Sequence, residues 1–301
     1  MPELPEVEVV RAGLEPIVTG ATIASVTVLD ERSLRRHDGP SEDFVHRLVG
    51  RTFAVPQRRG KFMWLPLVPV VEPVETEALV THLGMSGQVL LRPPGVDDRL
   101  TRIRLELRHP VHGEVRLNFV DQRIFGSMAI DELVPVTDVD ASLGQTVPTA
   151  VAHIARDPLD PHFDEKLFLD RLARRNSGIK RALLDQGLIS GIGNIYADES
   201  LWGARLHYEK LASTVTRPRA RALLAEVRAV LLQALAEGGT SFDEQYKNVN
   251  GNSGYFEHSL KAYGQQGKPC PRCGRPIVRE QFMNRGSHFC PRCQRAARVS
   301  V

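Results

Sequence analysis

The chain opens Met1-Pro2-Glu3-Leu4-Pro5-Glu6-Val7-Glu8, and the rest is read outward from these eight residues. Pro2 is small, so removal of Met1 by an aminopeptidase is expected, leaving a free secondary amine at the terminus. An α-amino group has a reference pKa of about 7.7–8.0, so an appreciable fraction is neutral and nucleophilic near neutral pH. Such an amine attacks a carbonyl-like carbon to give a covalent iminium. Glu3, beside it, can act as a general acid if its surroundings raise its pKa. A plain structural reading also stands, with Pro5 as the first-turn proline of a helix. Val7, Val10, Leu14 and Val18 recur at spacings of three and four, and Gly20 closes the run. The pattern predicts a helix over 5–18 leading away from the tip.

From residue 21 to about 130 the pattern changes to short alternating runs at 22–28, 102–107 and 114–119, separated by Gly, Pro and Asp clusters. This predicts a β-sandwich or barrel, with a short helix at 44–48. Residues 66–77, rich in Pro, Val and Glu, read as an inserted hairpin loop. Three further loops offer contacts. Arg58-Arg59-Gly60-Lys61-Phe62 sets three bases around a glycine, suited to a phosphate or to a surface turn. His82-Leu83-Gly84-Met85-Ser86-Gly87 turns Met85 outward, a soft apolar side chain fit to fill a gap in a base stack. Asp121-Gln122-Arg123-Ile124-Phe125-Gly126 points Arg123 and Phe125 the same way on an extended segment. Arg123 would bond an orphaned base while Phe125 wedges into the stack. Taken singly, each loop is also readable as structural.

Residues 135–161 carry scattered Pro, Asp and Gly and predict a linker. The pattern over 163–237 is helical, with helices expected at 163–176, 179–186 and 219–236. Between them lies Gly187-Leu188-Ile189-Ser190-Gly191-Ile192-Gly193-Asn194-Ile195-Tyr196-Ala197-Asp198-Glu199, whose glycines permit two tight turns before a helix from about Ile195. Asn194 at that helix start suits either an N-cap or a phosphate contact. The polar loop 241–256 is a lid over a bound base or a connector.

All four cysteines sit in one window, Cys270-x2-Cys273 and Cys290-x2-Cys293. A cytosolic chain rarely keeps disulfides; two such pairs at this spacing predict one tetrahedral structural Zn2+ on a β-hairpin ribbon. Four thiolates close the site, so the metal holds the fold and does no chemistry. Asn284-Arg285-Gly286 falls where the hairpin tip is expected. The net charge is only +3, but from Lys261 onward nine bases face Glu280 as the only acid, a local excess that suits a phosphate backbone. The start is acidic, unlike a signal peptide, and no apolar run reaches membrane-spanning length. A cytoplasmic protein is expected.

These motifs together resemble the formamidopyrimidine-DNA glycosylases, bacterial enzymes that excise oxidised purines from DNA. The matches run in the family's order from Pro2 to Cys293: the opening, Lys61 after a basic pair, the His82–Gly87 loop, Arg123 with Phe125, the run around Asn194, and the ribbon. The resemblance implies an α+β fold in two domains: a catalytic β-sandwich at 2–134, and, after the linker, a helix–two-turns–helix domain at 162–256 with a base-capping loop at 240–256. A zinc finger follows at 257–296. It implies Pro2 as Schiff-base nucleophile at the deoxyribose C1′, Glu3 as proton donor in ring opening, Lys61 for β-elimination and Arg285 for δ-elimination. Met85, Arg123 and Phe125 would fill the gap left by a flipped nucleotide. Arg175 falls where the family has a DNA-binding lysine, and Asn194 would grip phosphate. The implied partner is double-stranded DNA with oxidised bases or abasic sites, bound by a monomer.

The chain also departs from the family. Gln122 and Ile124 replace a proline and an arginine of the usual Asp-Pro-Arg-Arg-Phe-Gly, which puts wedge rigidity in doubt. A DNA-contacting histidine has no match near 100–102. Leu4 favours the oxidised-purine branch over the endonuclease VIII branch, which tends to have Gly there. The alternatives are that second branch, specific for oxidised pyrimidines, and an inactive zinc-ribbon protein that binds DNA damage.

Overall fold

The computed structural model describes residues 2–68, 76–240, 249 and 254–296. Met1, most of the 66–77 insertion and most of the expected base-capping loop at 240–256 lie outside the described residues. The chain forms two compact units, Met1–His153 with Gly238–Gly254, and Ile154–Glu237 with Tyr255–Val301.

The first unit starts with helix α1 (Leu4–Val18). Glu3 and Glu6 form its capping box, which supplies acceptors to free N–H groups where the helix begins, and Pro5 in the first turn has no N–H to be satisfied. Val7, Val10, Leu14 and Val18 are buried. Strands β1 (Thr22–Val28), β2 (Gln57–Arg59), β3 (Phe62–Pro66), β4 (Glu77–His82), β5 (Gly87–Arg92), β6 (Thr101–His109), β7 (Gly113–Asp121), β8 (Ser127–Pro135) and β9 (Thr146–Pro148) follow, with α2 (Ser41–Leu48) after β1. They form two antiparallel sheets, β1-β6-β7-β5 and β2-β3-β4-β8-β9. Alternation along β6 turns Ile103, Leu105 and Leu107 inward. They share one apolar cluster with Leu117 and Phe119 of β7, with Met63, Leu79 and Ile130 of the other sheet, and with the inner face of α1. Burying each such side chain contributes about 1.5–3 kcal/mol, so the helix behind Pro2 and Glu3 is anchored in the main core.

Within the stretch expected as a linker, Thr146–Pro148 pairs with Leu133–Pro135 as β9 and extends the second sheet. A three-residue strand ending in proline leaves no periodicity to read.

The second unit carries α3 (Glu165–Leu172), α4 (Ile179–Leu183), α5 (Asn194–Gly203), α6 (Arg217–Ala236) and the hairpin β10 (Val278–Phe282)–β11 (Arg285–Phe289). The helix expected at 163–176 is shorter at both ends. Asp164 caps it by accepting the Leu167 N–H at 2.8 Å. Past Leu172 the backbone tightens into i→i−3 turns at Arg174 and Arg175. The helix expected at 179–186 stops at Leu183, and Asp185 instead accepts the Gly187 N–H at 2.9 Å.

Candidate active site

In the first unit Pro2 is buried and Glu3 is 2% exposed. The Glu3 N–H donates to Glu6 Oε2 at 2.8 Å. The other oxygen of Glu6 accepts the Thr240 N–H at 2.8 Å and the Thr240 hydroxyl at 3.0 Å. One buried carboxylate thus fixes the backbone next to the terminal amine from a residue far along the chain. Gly239 makes room for it: its φ is +82°, and a Cβ there would lie 3.0 Å from Glu6 Oε1.

Lys61 is set by a second tie to α1. Arg58 Nε bonds Glu8 at 2.9 Å while its Nη1 donates to the Gly60 carbonyl at 3.0 Å. Burial opposes ionisation of Glu8, but the bonds and charges of Arg11 and Arg58 overcome it and hold the carboxyl below its usual range. Arg59 pairs with Phe62 across a two-residue turn, Gly60-Lys61, with Gly60 at φ +57°, the left-handed position a hairpin of this kind gives to glycine. Lys61 is partly exposed at the bend.

The two expected wedge loops come together. Gly84 (φ +62°) abuts the second loop so closely that a Cβ would lie 2.3 Å from the Phe125 carbonyl carbon. Fully buried Asp121 closes the arrangement. Its Oδ1 accepts from the Ser86 hydroxyl at 2.6 Å and the Arg123 N–H at 3.1 Å, and its Oδ2 accepts the Gly126 N–H at 2.7 Å. Met85 and Phe125 stand 42% and 47% exposed, and Arg123 is exposed beside them. Held on adjoining loops, the two apolar side chains form one exposed pair beside a guanidinium. Arg35 donates to the carbonyls of Ile124 and Phe125. In the 100–102 stretch, which carries no histidine, Arg102 bonds the Asp121 carbonyl at 2.8 Å and Asp30 at 3.3 Å. The sequence did not reveal Asp121, Ser86 or Arg35 as organisers. Asp121 and Ser86 lie inside the quoted loops, but their roles depend on β5 and β7 pairing Gly87 with Asp121.

In the second unit Asn194 does not cap its helix. Gly193 holds the N-cap position, Asn194 is the first helical residue, and its Nδ2 donates to the Gly286 carbonyl at 3.0 Å. Its Oδ1 is buried with no partner among the described residues, an acceptor that would suit a bound donor. The cap reading is therefore wrong. Arg175 is exposed and pairs with Asp185 at 2.7 Å. Arg285 is exposed as the first residue of β11, with the turn itself at Met283-Asn284. A buried cluster unseen in the sequence holds this hairpin. Lys180 Nζ, fully buried, lies 2.6 Å from Asp198 Oδ1 and 3.3 Å from the Gly286 carbonyl. Asp198 also accepts from the Ser287 hydroxyl at 3.1 Å and the His288 N–H at 2.8 Å.

The four cysteine sulfurs lie within 4.8 Å of one another. A tetrahedron of about 2.3 Å Zn–S bonds has edges of roughly 3.8 Å, so this donor set fits one Zn2+. Trp202 Nε1 donates to Cys270 Sγ at 3.4 Å, and Arg272 stacks 4.0 Å from the Trp202 ring, outer contacts that orient a ligand.

Comparison with known proteins accords with this geometry. Residues 1–128 match the formamidopyrimidine-DNA glycosylase N-terminal domain, 154–245 the H2TH domain of the same enzymes, and 267–296 a zinc finger found in FPG and IleRS. The formamidopyrimidine-DNA glycosylase of Leifsonia xyli subsp. xyli is 64% identical over 98% of this chain and 100% of its own. That of Streptomyces avermitilis is 54% identical over the full length of both. Among solved structures, a point mutant of the Lactococcus lactis FPG bound to Fapy-dG DNA has TM-score 0.82 at 31% identity, over 98% of this chain and 100% of that one. The Lactococcus lactis Fpg complex with abasic-site DNA gives 0.80 at 30% identity with the same coverage.

Proposed function

The chain belongs to the formamidopyrimidine-DNA glycosylase family, and from that membership we propose how its own residues carry the reaction. The protein is a base-excision-repair DNA glycosylase with AP lyase activity that removes oxidised purines from double-stranded DNA. In our reading the target nucleotide leaves the stack at a cost of a few kcal/mol, offset by Met85 and Phe125 filling the gap and Arg123 bonding the orphaned base. The Pro2 nitrogen attacks C1′. The C1′–N bond breaks, the base departs with its electron pair and is protonated, and Glu3 delivers a proton to the ring oxygen as the sugar opens. The product is an iminium that acidifies the C2′ proton. Lys61 assists loss of that proton and of the 3′ phosphate; Arg285 assists the second elimination at the 5′ side. Arg175 holds a phosphate, and so does the second N–H of the Asn194 amide, whose first is taken by the Gly286 carbonyl. Zn2+ on Cys270, Cys273, Cys290 and Cys293 supplies structure only.

The observation that carries this reading is the grip of Glu6 on the backbone at residue 3 from Thr240. Orienting a nucleophile before attack contributes much of a barrier reduction, and a floppy terminus would forfeit it. No described helix is long and apolar enough to cross a membrane. We place the enzyme in the cytoplasm, at the nucleoid; every proposed role falls on one chain, which supports a monomer.

Borohydride trapping on a duplex bearing 8-oxoguanine tests the nucleophile. Wild-type protein, with Met1 loss verified by mass spectrometry, is expected to form a covalent adduct. A Pro2→Gly protein that retains Met1 is expected to form none, and persistence of the adduct there would move the nucleophile elsewhere. Parallel excision from thymine glycol duplexes separates the pyrimidine-specific branch.

A further inference from the structure

Ile124 sits at φ +55°, a left-handed conformation that costs a β-branched residue on the order of 1–2 kcal/mol. It lies between the exposed Arg123 and Phe125, so whatever holds Ile124 in place sets the direction of both. Asp121 fixes the two ends of this loop, at the N–H groups of Arg123 and Gly126. The two carbonyls in the middle, those of Ile124 and Phe125, are held from outside by the fork of one guanidinium. Arg35 Nη1 donates to the Ile124 carbonyl at 2.6 Å, and Nη2 donates to that of Phe125. Arg35 follows the 3₁₀ turn Glu31–Leu34, whose Ser33 and Leu34 are buried, so its base is anchored. A planar fork meets two adjacent carbonyls in a way a lysine ammonium cannot reproduce.

We propose that Arg35 is a positioning residue for the wedge: it locks the strained Ile124 turn so that Phe125 and Arg123 enter the duplex preformed. The inference rests on the wedge role given to those residues above. It implies that Arg35 matters when a base pair must be opened and not when the target already lies outside a helix.

Two substitutions separate geometry from charge: Arg35→Lys keeps the charge and loses the fork, and Arg35→Met loses both. The readouts are insertion, followed by 2-aminopurine fluorescence beside 8-oxoguanine in a duplex, and borohydride trapping on a single-stranded abasic oligonucleotide. Both variants are expected to slow insertion and duplex excision about tenfold or more, equivalent to about 1.4 kcal/mol of barrier. Trapping on the single strand should stay within about twofold of wild type on the same scale. If Arg35→Lys inserts like wild type, the residue acts through charge alone and the proposal fails. Equal loss on both substrates also overturns it, since the residue would then serve the scaffold at large. Failure of wild type itself to trap on the 8-oxoguanine duplex would instead sink the terminal-amine reading, so the two failures are distinguishable.

Discussion

His82 lies against Phe62, ring centroids 4.9 Å apart, and its Nδ1 accepts the Gly84 N–H at 3.2 Å. Burial, then the positive charges of Arg36, Arg35 and Lys61, push its pKa down to about 4. The imidazole is therefore neutral at physiological pH, which suits a residue at the base of the Met85 loop that must keep an acceptor toward Gly84. The pH dependence follows from its sign. An unfolded histidine titrates near 6.5; below that pH the unfolded chain gains a proton that the folded chain refuses. The stabilisation is thus complete above about pH 6.5 and is lost progressively as pH falls toward about 4, by up to roughly 3 kcal/mol. Urea unfolding of wild type and His82→Gln at pH 7 and pH 4.5 checks this. The wild type is expected to lose more stability between the two than the variant does, and equal losses would mean that His82 titrates normally.

At the scale of elements, α4, α5 and the β10–β11 hairpin meet around Lys180 and Asp198. Removing one charge of a buried pair typically costs about 3–5 kcal/mol because the other is stranded. Asp198→Asn should destabilise by about that amount and also free Ser287 and His288, slackening the strand that begins with Arg285. The proposed δ-elimination should suffer before the β-elimination, shifting nicked products toward the β form on a sequencing gel. Adding Lys180→Met should restore much of the stability, since no charge is left stranded, but not the product ratio, because the Gly286 carbonyl has lost its lysine donor. Restoration of both would show that only overall stability mattered. None of these long-range ties was legible in the sequence: Asp198 and His288 are 90 residues apart, Glu6 and Thr240 are 234 apart, and Arg35 and Ile124 are 89 apart. What was legible is what repeats locally, such as the apolar stripe and capping pair of α1, the alternation of β6, and the cysteine spacing. Asn194 was misjudged as a possible cap because the sequence gives a residue's position near a helix start but not the carbonyl of Gly286 that claims its amide.

Across the whole molecule, the two units carry separate cores, and the chain's two tryptophans report on them individually. Trp64 is 2% exposed on β3 of the first unit. Trp202 ends up on the zinc side, donating to Cys270 Sγ at 3.4 Å with Arg272 stacked on its ring. Around the cysteines the apolar content is small, Ile277 and the sulfurs against Trp202, while Phe282 and Phe289 of the hairpin pack on Tyr208; the cysteine end has too little to hold its fold without metal. Among the described residues, the first unit's core cluster is drawn from that unit's own residues, Val249 included. Chelation is therefore expected to unfold the ribbon and leave the first unit standing. With one Zn2+ released per chain, Trp202 emission measured in a Trp64→Phe protein should shift to the red as its sulfur and guanidinium contacts are lost. Trp64 emission measured in Trp202→Phe should stay fixed. DNA binding should weaken in the same titration, since the ribbon bears Arg275, Arg279, Arg285 and Arg292 with Glu280 as its only acid, and phosphate contacts depend on where those charges are held. An unmoved Trp202 would mean that the thiolates hold the ribbon without the metal. If both tryptophans moved together, the units would unfold as one, and the metal's influence would reach the core behind Pro2.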